Sequence, residues 1–307
     1  MMRKMLRKFL KEAALACSLA LSGLVLVLLL PYDKQFGYSR MLESCGRGDW
    51  LYSRIFENKT PFDIAFIGSS RTICGVNDSL LESCLNVSVA NLGFCRYGRS
   101  LHYALFKDLL RKKSPKTLVL EVHEEESRSG HPDFSHIADM EDLLLPVSYK
   151  NWLMQLVDGV QDRVAYHAKK MLGDLPAYDA SGNSMPYHFV AHTGKANVTA
   201  LAKVKIRKTQ KAGKISLEPP WSRRISKKYL WEIVALAMHH QVEVKFLYLP
   251  SYGALETQPA ELEFYKKYGE VQLPPAPFSQ SQEYRVDEDH LNDEGAMLLT
   301  EWLAGNL

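Results

Sequence analysis

The stretch Asp63-Ile64-Ala65-Phe66-Ile67-Gly68-Ser69-Ser70 decides how the chain is read. Four consecutive apolar residues run into a glycine and two small hydroxyl residues. A strand buried on both faces of a parallel sheet has that unbroken apolar character, and the small residues mark a tight turn at its carboxyl end. Runs of the same kind recur at 87–92, 117–122 and 242–249. Between them lie helical patterns. Asp78-Ser79-Leu80-Leu81-Glu82 reads as an N-cap and first turn. Residues 100–112 put Leu101, Ala104, Leu105 and Leu109 on one face, and 226–240 do the same with Tyr229, Leu230, Ile233, Val234 and Ala237. Strand and helix in alternation predict an α/β fold of three α/β/α layers around a mainly parallel, flavodoxin-like sheet.

Upstream of this frame, Arg3, Lys4, Arg7, Lys8 and Lys11 precede a charge-free apolar run at residues 13–30. Roughly 18 to 20 apolar residues suffice to cross a bilayer core. The run therefore predicts one N-terminal transmembrane helix, its cationic flank in the cytoplasm and everything after Pro31 exported. Pro31-Tyr32-Asp33-Lys34 lacks the small-x-small site of a cleaved signal peptide, so an uncleaved anchor is expected. Cys17 precedes most of the apolar stretch, the reverse of a lipoprotein site. The expected organisation is a basic flank and anchor at 1–31, a juxtamembrane linker at 32–60 and one domain at 61–307, with an insertion at 127–220. The partner of 13–30 is the lipid bilayer, and the location is the inner cell membrane with the domain on the periplasmic side.

Cys45, Cys74, Cys84 and Cys95 fall on the exported side, where disulfides persist, and sequence leaves their pairing open against simple buried thiols. None has zinc-ligand spacing, and no metal or cofactor is expected. The chain is 46% hydrophobic and 24% charged with a formal net charge of +3, too little to argue for nucleic acid. The insertion ends in a basic run, Lys203, Lys205, Arg207, Lys208, Lys211, Lys214, Arg223, Arg224, Lys227 and Lys228, opposed by Glu218. It reads as a solvated face, or as a surface for anionic glycans or lipid headgroups.

The chemistry rests on two widely separated segments. Asp287-Glu288-Asp289-His290-Leu291-Asn292-Asp293-Glu294-Gly295 places a carboxylate three residues before a histidine. A carboxylate at that spacing can accept the imidazole Nδ1–H and fix the tautomer, leaving Nε2 to face a nucleophile. Ser70, at the carboxyl end of the first strand, is where open α/β sheets gather their ligands. Its backbone N–H is a candidate oxyanion donor, and Ser69 and Arg71 are expected in the substrate pocket.

Together these segments resemble the SGNH (GDSL-type) hydrolase superfamily, in particular membrane-anchored extracytoplasmic proteins of alginate O-acetylation and teichoic-acid D-alanylation. Gly68-Ser69-Ser70 corresponds to the family's first block and implies Ser70 as nucleophile. Asp287 and His290 correspond to the last, with Leu291-Asn292 and Gly295 as its continuation. Asn91-Leu92-Gly93-Phe94-Cys95-Arg96-Tyr97-Gly98 resembles the second block, in which a glycine N–H serves the oxyanion hole; Gly93 and Gly98 are both candidates, and Arg96 belongs to the same crevice. Where the family's third block has an asparagine donor, this chain has Leu118-Val119-Leu120-Glu121-Val122-His123-Glu124-Glu125-Glu126. Glu125 lies nearest that position. An ionised carboxylate cannot donate a hydrogen bond, so Glu125 is expected either to pair with Arg71, Arg96, Arg99 or Arg128, or to contact substrate.

The resemblance implies an anchored esterase or O-acyltransferase acting on an envelope glycan, supplied by a multi-spanning membrane acyltransferase. The alternative is an SGNH-like protein without turnover that binds glycan or scaffolds an envelope complex. His188 and His192 read as surface residues, because the segment lacks a zinc-protease glutamate. Trp50, Tyr52, Phe56, Trp152, Trp221 and Trp231 read as core aromatics.

Overall fold

The computed structural model describes residues 2–41, 47–126, 129–144, 151–175, 189–212, 224–254, 257–275 and 281–307. Five strands, β1 (Ile64–Ile67), β2 (Val89–Asn91), β3 (Thr117–Val122), β4 (Glu243–Tyr248) and β5 (Glu270–Gln272), form one sheet in the order β2-β1-β3-β4-β5. Every pairing is parallel, with Phe66 opposite Asn91 and Val119, and Val119 opposite Lys245. The order reverses at β1, so β1 and β3 open a crevice at their carboxyl ends. Four strands fall where the apolar runs predict them. The fifth, Glu270-Val271-Gln272, is too short and too polar to register as a periodic pattern.

Side-chain alternation assigns the layers. Ala65, Ile67, Leu118, Leu120, Val244 and Phe246 point to one face, where α6 (Arg99–Lys112) and α11 (Arg224–His239) cover them with Leu101, Leu105, Leu109, Leu230, Ile233 and Ala237. Phe66, Val89, Val119 and Leu247 point to the other, beneath α5 (Asp78–Leu85) and α13 (Asp293–Ala304), which contribute Leu81, Leu299 and Leu303. Helices on both faces of a parallel sheet give the expected three layers. The cap of α5 falls one residue earlier than expected: the Asn77 side chain accepts from Leu80 N–H at 3.0 Å. Asn292 caps α13 in the same way, accepting from Gly295 N–H at 3.0 Å.

Of the stretch expected as a linker, 32–60, the described residues are folded. They form α2 (Lys34–Ser39), α3 (Gly48–Tyr52) and a π-helical turn (Ser53–Glu57), and Tyr38, Met41, Leu51 and Ile55 are buried in the larger core cluster. Aromatic and aliphatic residues at that density bury more apolar surface than a solvated linker would expose to water. Trp50, Tyr52 and Phe56 belong to the same cluster, as core aromatics should. Trp221 lies outside the described residues.

Between β3 and α11 the insertion contributes α7 (Phe134–Ile137), α8 (Met140–Leu144), α9 (Trp152–Leu172) and α10 (Val198–Ala212). From its basic run, Lys208 donates to Tyr252 O at 2.9 Å and Lys227 pairs with Glu261 at 2.9 Å. Lys214, Glu218 and Arg223 lie outside the described residues. The N-terminal helix α1 spans Met2–Leu29 and packs against α9. Among the described residues, no helix is long and apolar enough to cross a membrane.

Candidate active site

Two loops at the carboxyl edge of the sheet bring the candidate residues together. β1 ends at Ile67, and Gly68 must lack a side chain, because a Cβ there would collide with Thr72 Oγ1 and the Glu121 carboxylate. Ser69 N-caps α4 (Ser70–Gly75), accepting from Arg71 N–H at 3.2 Å, and this cap sets Ser70 at the first helical position. In the second loop, Asp287 Oδ1 accepts the backbone N–H of Asp289 at 2.8 Å and of His290 at 2.9 Å. That local turn folds the imidazole back over the carboxylate. His290 Nδ1 lies 2.8 Å from Asp287 Oδ2, and His290 Nε2 lies 2.8 Å from Ser70 Oγ. Because an ionised carboxylate only accepts, the proton of the first contact sits on Nδ1 and bare Nε2 receives the Ser70 hydroxyl. Burial acts to raise the Asp287 pKa. Hydrogen bonds from the His290 ring and from the two backbone N–H groups outweigh it and hold the carboxyl well below its usual range.

Arg71 ties this arrangement into the fold. Its guanidinium donates to Leu249 O at 2.6 Å, to Asp289 Oδ1 at 2.6 Å and to Glu124 Oε2 at 3.2 Å. The half-buried cation that follows Ser70 is thus tied to the residue before His290. Glu124 also accepts from Ser251 N–H at 2.7 Å. Burial would raise its pKa, but Arg71 and the Ser251 donors bring it down to about 2.

A second buried cluster lies beside Ser70. Glu121 is fully buried and accepts Ser69 N–H at 2.7 Å, Ser69 Oγ–H at 2.6 Å and Thr72 N–H at 3.1 Å, together with the Thr72 hydroxyl and the His123 ring. Desolvation opposes its charge, but His123 and these donors hold it well below the ordinary carboxylate range. Tyr97 stacks on His123 with ring centroids 3.9 Å apart.

Ser70 opens on a cleft of about 560 Å³ lined by Arg47, Ile73, Cys74, Cys95, Arg96, Val190, His192, Asp287 and His290. Arg96, expected in the pocket, is there, with a left-handed backbone at φ 67°. Ser69 and Arg71 stand beside the cleft with their side chains engaged by Glu121 and by the Arg71 ion pairs. Gly93 lies against Ser69, where a Cβ would come within 3.0 Å of its carbonyl oxygen, and its N–H donates to Asn91 Oδ1 at 3.1 Å. Gly98 is placed elsewhere: it precedes α6 and abuts His131.

The third block places its acids at different depths. Glu125 is exposed and does not line the cleft. Arg71 pairs instead with Glu124, and Arg99 pairs with Glu126 at 2.7 Å in full burial. Arg128 lies outside the described residues. The carboxylate that reaches the Ser69 turn is Glu121. It is still inside β3 and shares the face of Val119, the side on which α4 packs, whereas residues 124–126 have left the strand.

His192 also differs from its expected surface position. Its ring lies 6.3 Å from that of His290, and its carbonyl accepts Asp293 N–H at 3.0 Å. His192 and Arg47 come from segments that carry no motif, so no local pattern announces them. His188 lies outside the described residues. Among the cysteines, Cys95 is disulfide-bonded, while Cys17, Cys74 and Cys84 are free thiols. Cys45 lies outside the described residues. The Cys74 thiol is pushed up to about 12 by burial and then by Asp287, which makes it a poor nucleophile despite its place in the cleft wall.

No family model matches the chain, and no curated protein matches it. A solved structure from Streptococcus pneumonia, provisionally named a platelet activating factor, aligns over 95% of this chain and 98% of its own. The two are 12% identical, with a TM-score of 0.32. Backbones that superpose so loosely say nothing about shared chemistry. What stands is an α/β fold with a five-stranded parallel sheet, and a serine, a histidine and an aspartate in hydrogen-bonding sequence at its carboxyl edge.

Proposed function

We propose that this chain is a membrane-anchored serine esterase or O-acyltransferase that works through an acyl-enzyme on Ser70. The observation that carries the reading is the relay from Ser70 Oγ through His290 to Asp287, with 2.8 Å at each joint. His290 Nε2 takes the Ser70 proton as Oγ bonds to the acyl carbon, and Asp287 stabilises the imidazolium that forms. The tetrahedral intermediate then collapses: the bond to the leaving alcohol breaks and Nε2 returns the proton to the departing oxygen. Water or a sugar hydroxyl next gives its proton to Nε2 and attacks the acyl carbon; as the acyl–Oγ bond breaks, Nε2 returns that proton to Ser70 Oγ and the new acid or ester leaves. Hydrolysis and transfer differ only in that acceptor.

The Ser70 N–H, at the first turn of α4, is the oxyanion donor this reading assigns, with the Gly93 loop near it. Arg47 and Arg96 line the cleft, and an envelope glycan is the substrate class this reading proposes. The anchor reading rests on residues 13–30 and on the outward apolar side chains of α1, where Leu15, Leu19, Leu26 and Leu29 are exposed. An exported transferase needs its acyl group delivered across the bilayer, so a multi-spanning membrane acyltransferase is the partner this reading calls for.

The test is reaction of the full chain in detergent with a fluorophosphonate probe and an aryl acetate, beside Ser70→Ala. Labelling and turnover that vanish in the variant are expected. Labelling that persists in Ser70→Ala would remove the nucleophile assignment. A C-terminal alkaline phosphatase fusion checks topology, and an inactive fusion would overturn the exported reading.

One observation favours a second reading. Glu121 occupies the ground behind Ser69 with a buried negative charge, where an oxyanion needs donors. A folded chain that neither labels nor turns over would be an SGNH-like glycan-binding or scaffolding protein.

A further inference from the structure

Helix α9 is built inside out. Most of the side chains it buries against the domain are polar: Gln155, Asp162 and Arg163 are buried, beside Gly159 and Tyr166, with Leu156 packed at the edge of the core. Each polar group is engaged. Gln155 Nε2 donates to His131 O. Asp162 meets the His136 ring and lies 3.4 Å from Arg40. Arg163 donates to Gly159 O at 2.9 Å and to Ala138 O at 2.7 Å, and its guanidinium covers the Tyr32 ring at 4.6 Å. The side turned outward is apolar. Leu153, Val157, Val164 and Met171 are spaced by four, seven and seven residues, which on a helix of 3.6 residues per turn is one continuous stripe. All four are exposed, Leu153 by 64% and Met171 by 89%, and Met154 and Leu172 widen the stripe.

A soluble helix has the opposite arrangement, because each exposed Leu or Met side chain forgoes roughly 1.5–3 kcal/mol of burial. Isolated apolar residues on a surface need no explanation; a stripe running the length of a 21-residue helix that buries charge on its other side does. The neighbourhood says what covers it. α1 packs against α9, and the stripe remains exposed with α1 in place. Where α1 ends, Tyr32 packs edge-on against Tyr166 of α9 at 5.6 Å between centroids, and Phe36 packs tilted against the same ring at 5.4 Å. Lys169 and Lys170 close the last turn, exposed and off the stripe on either flank. α1 itself exposes Leu15, Leu19 and Leu26, and an apolar helical face that ends in lysines beside such a helix is the arrangement of a helix lying in a bilayer interface.

We propose that α9 is a second membrane element, lying in the plane of the membrane surface with Leu153, Val157, Val164 and Met171 among the lipid chains. The inference rests in part on the anchor reading of α1. The two together make a two-point attachment: α1 tethers the domain, and α9 fixes which side of it faces the bilayer. The occupant of the stripe is lipid rather than a second protein.

The test is photocrosslinking of the purified full chain in vesicles of phosphatidylethanolamine and phosphatidylglycerol, with benzoyl-phenylalanine placed singly at Val157, Val164, Met171, Lys169 or Leu26. Mass spectrometry then identifies the adduct. Lipid adducts at the three stripe positions, several-fold above the yield at Lys169, are expected. Adducts to a second copy of the chain at those positions would overturn the proposal and make the stripe a self-association face. Lipid adducts at Leu26 without any at the stripe would overturn it and leave the anchor standing. Their absence at Leu26 and at the stripe together would overturn both readings.

Discussion

Ser69 and Ser70 are adjacent, identical in chemistry and opposite in fate. Ser69 is 2% exposed, and its N–H and hydroxyl both end on Glu121, a carboxylate with no access to solvent. Ser70 sits one residue later on the wall of an open cleft, and its hydroxyl reaches a carboxylate through the ring of His290. In both clusters a serine, a histidine and an acid stand close together. In the Ser69 cluster the acid takes the hydroxyl directly and His123 is a further donor to the same carboxylate, with Nε2 3.5 Å from Ser69 Oγ. A proton held that way has nowhere to go, and the cluster is a lock on the turn. In the Ser70 cluster the imidazole stands between hydroxyl and acid, so a proton can move without displacing a buried charge. Burial and the order of the groups, not their identity, separate a structural network from a proton relay.

Substitutions can break this contrast, beginning with the largest effect. Ser70→Ala removes the attacking oxygen and is expected to lower aryl acetate turnover by about 10⁴ to 10⁶-fold with an unchanged urea midpoint. Ser69→Ala, by contrast, should register in the urea midpoint far more than a loss of nucleophile would, and a Ser69→Ala chain as dead yet as stable as Ser70→Ala would invert the assignment. Asp287→Asn keeps the shape of the acid/base loop and loses the tautomer control. Since this aspartate is half exposed, a drop in kcat of about 10² to 10⁴-fold is expected, with KM little changed.

Glu121→Ala leaves the Ser69 N–H, two hydroxyls and His123 without their acceptor, while Thr72 N–H keeps Ser69 O, and should cost on the order of 3–5 kcal/mol in urea denaturation. A variant as stable as the parent would show that the carboxylate is not the lock. Arg71→Met unties the residue after Ser70 from the residue before His290, and roughly a 10 to 100-fold loss in kcat at constant nucleophile labelling chemistry is expected from the misplacement. The smallest effect is on pH. Glu124 has its pKa lowered in the fold to about 2 from an ordinary 4.5. Its contribution to stability is therefore complete above about pH 4.5 and is lost as the pH falls toward 2. Melting temperatures of the parent and of Glu124→Gln should converge over that window and separate above it.

How much of this was legible in the sequence follows from the range of each interaction. The strand-to-turn run ending at Ser70 and the Asp287-to-His290 spacing are local signals, and both stand where they were expected. The role of Glu121 was not legible. Counting along the chain favoured Glu125, but the alternation of β3 carries Glu121 to the face on which α4 packs, and that face is a property of the sheet. The linker at 32–60 was misjudged for the same reason: its aromatics acquire meaning only against the α6 side of the core.

Read by itself, the sequence determined the alternation of elements, the apolar N-terminal run and the two halves of the relay, because each is set by neighbours within a few residues. The tertiary structure alone decided that residues 220 apart meet at 2.8 Å, that Arg71 binds Asp289 across the crevice, that His192 stands beside His290, and that α9 turns its charges inward. Such contacts arise from where a parallel sheet ends its strands and which helix face it leaves uncovered, and no spacing along the chain encodes either.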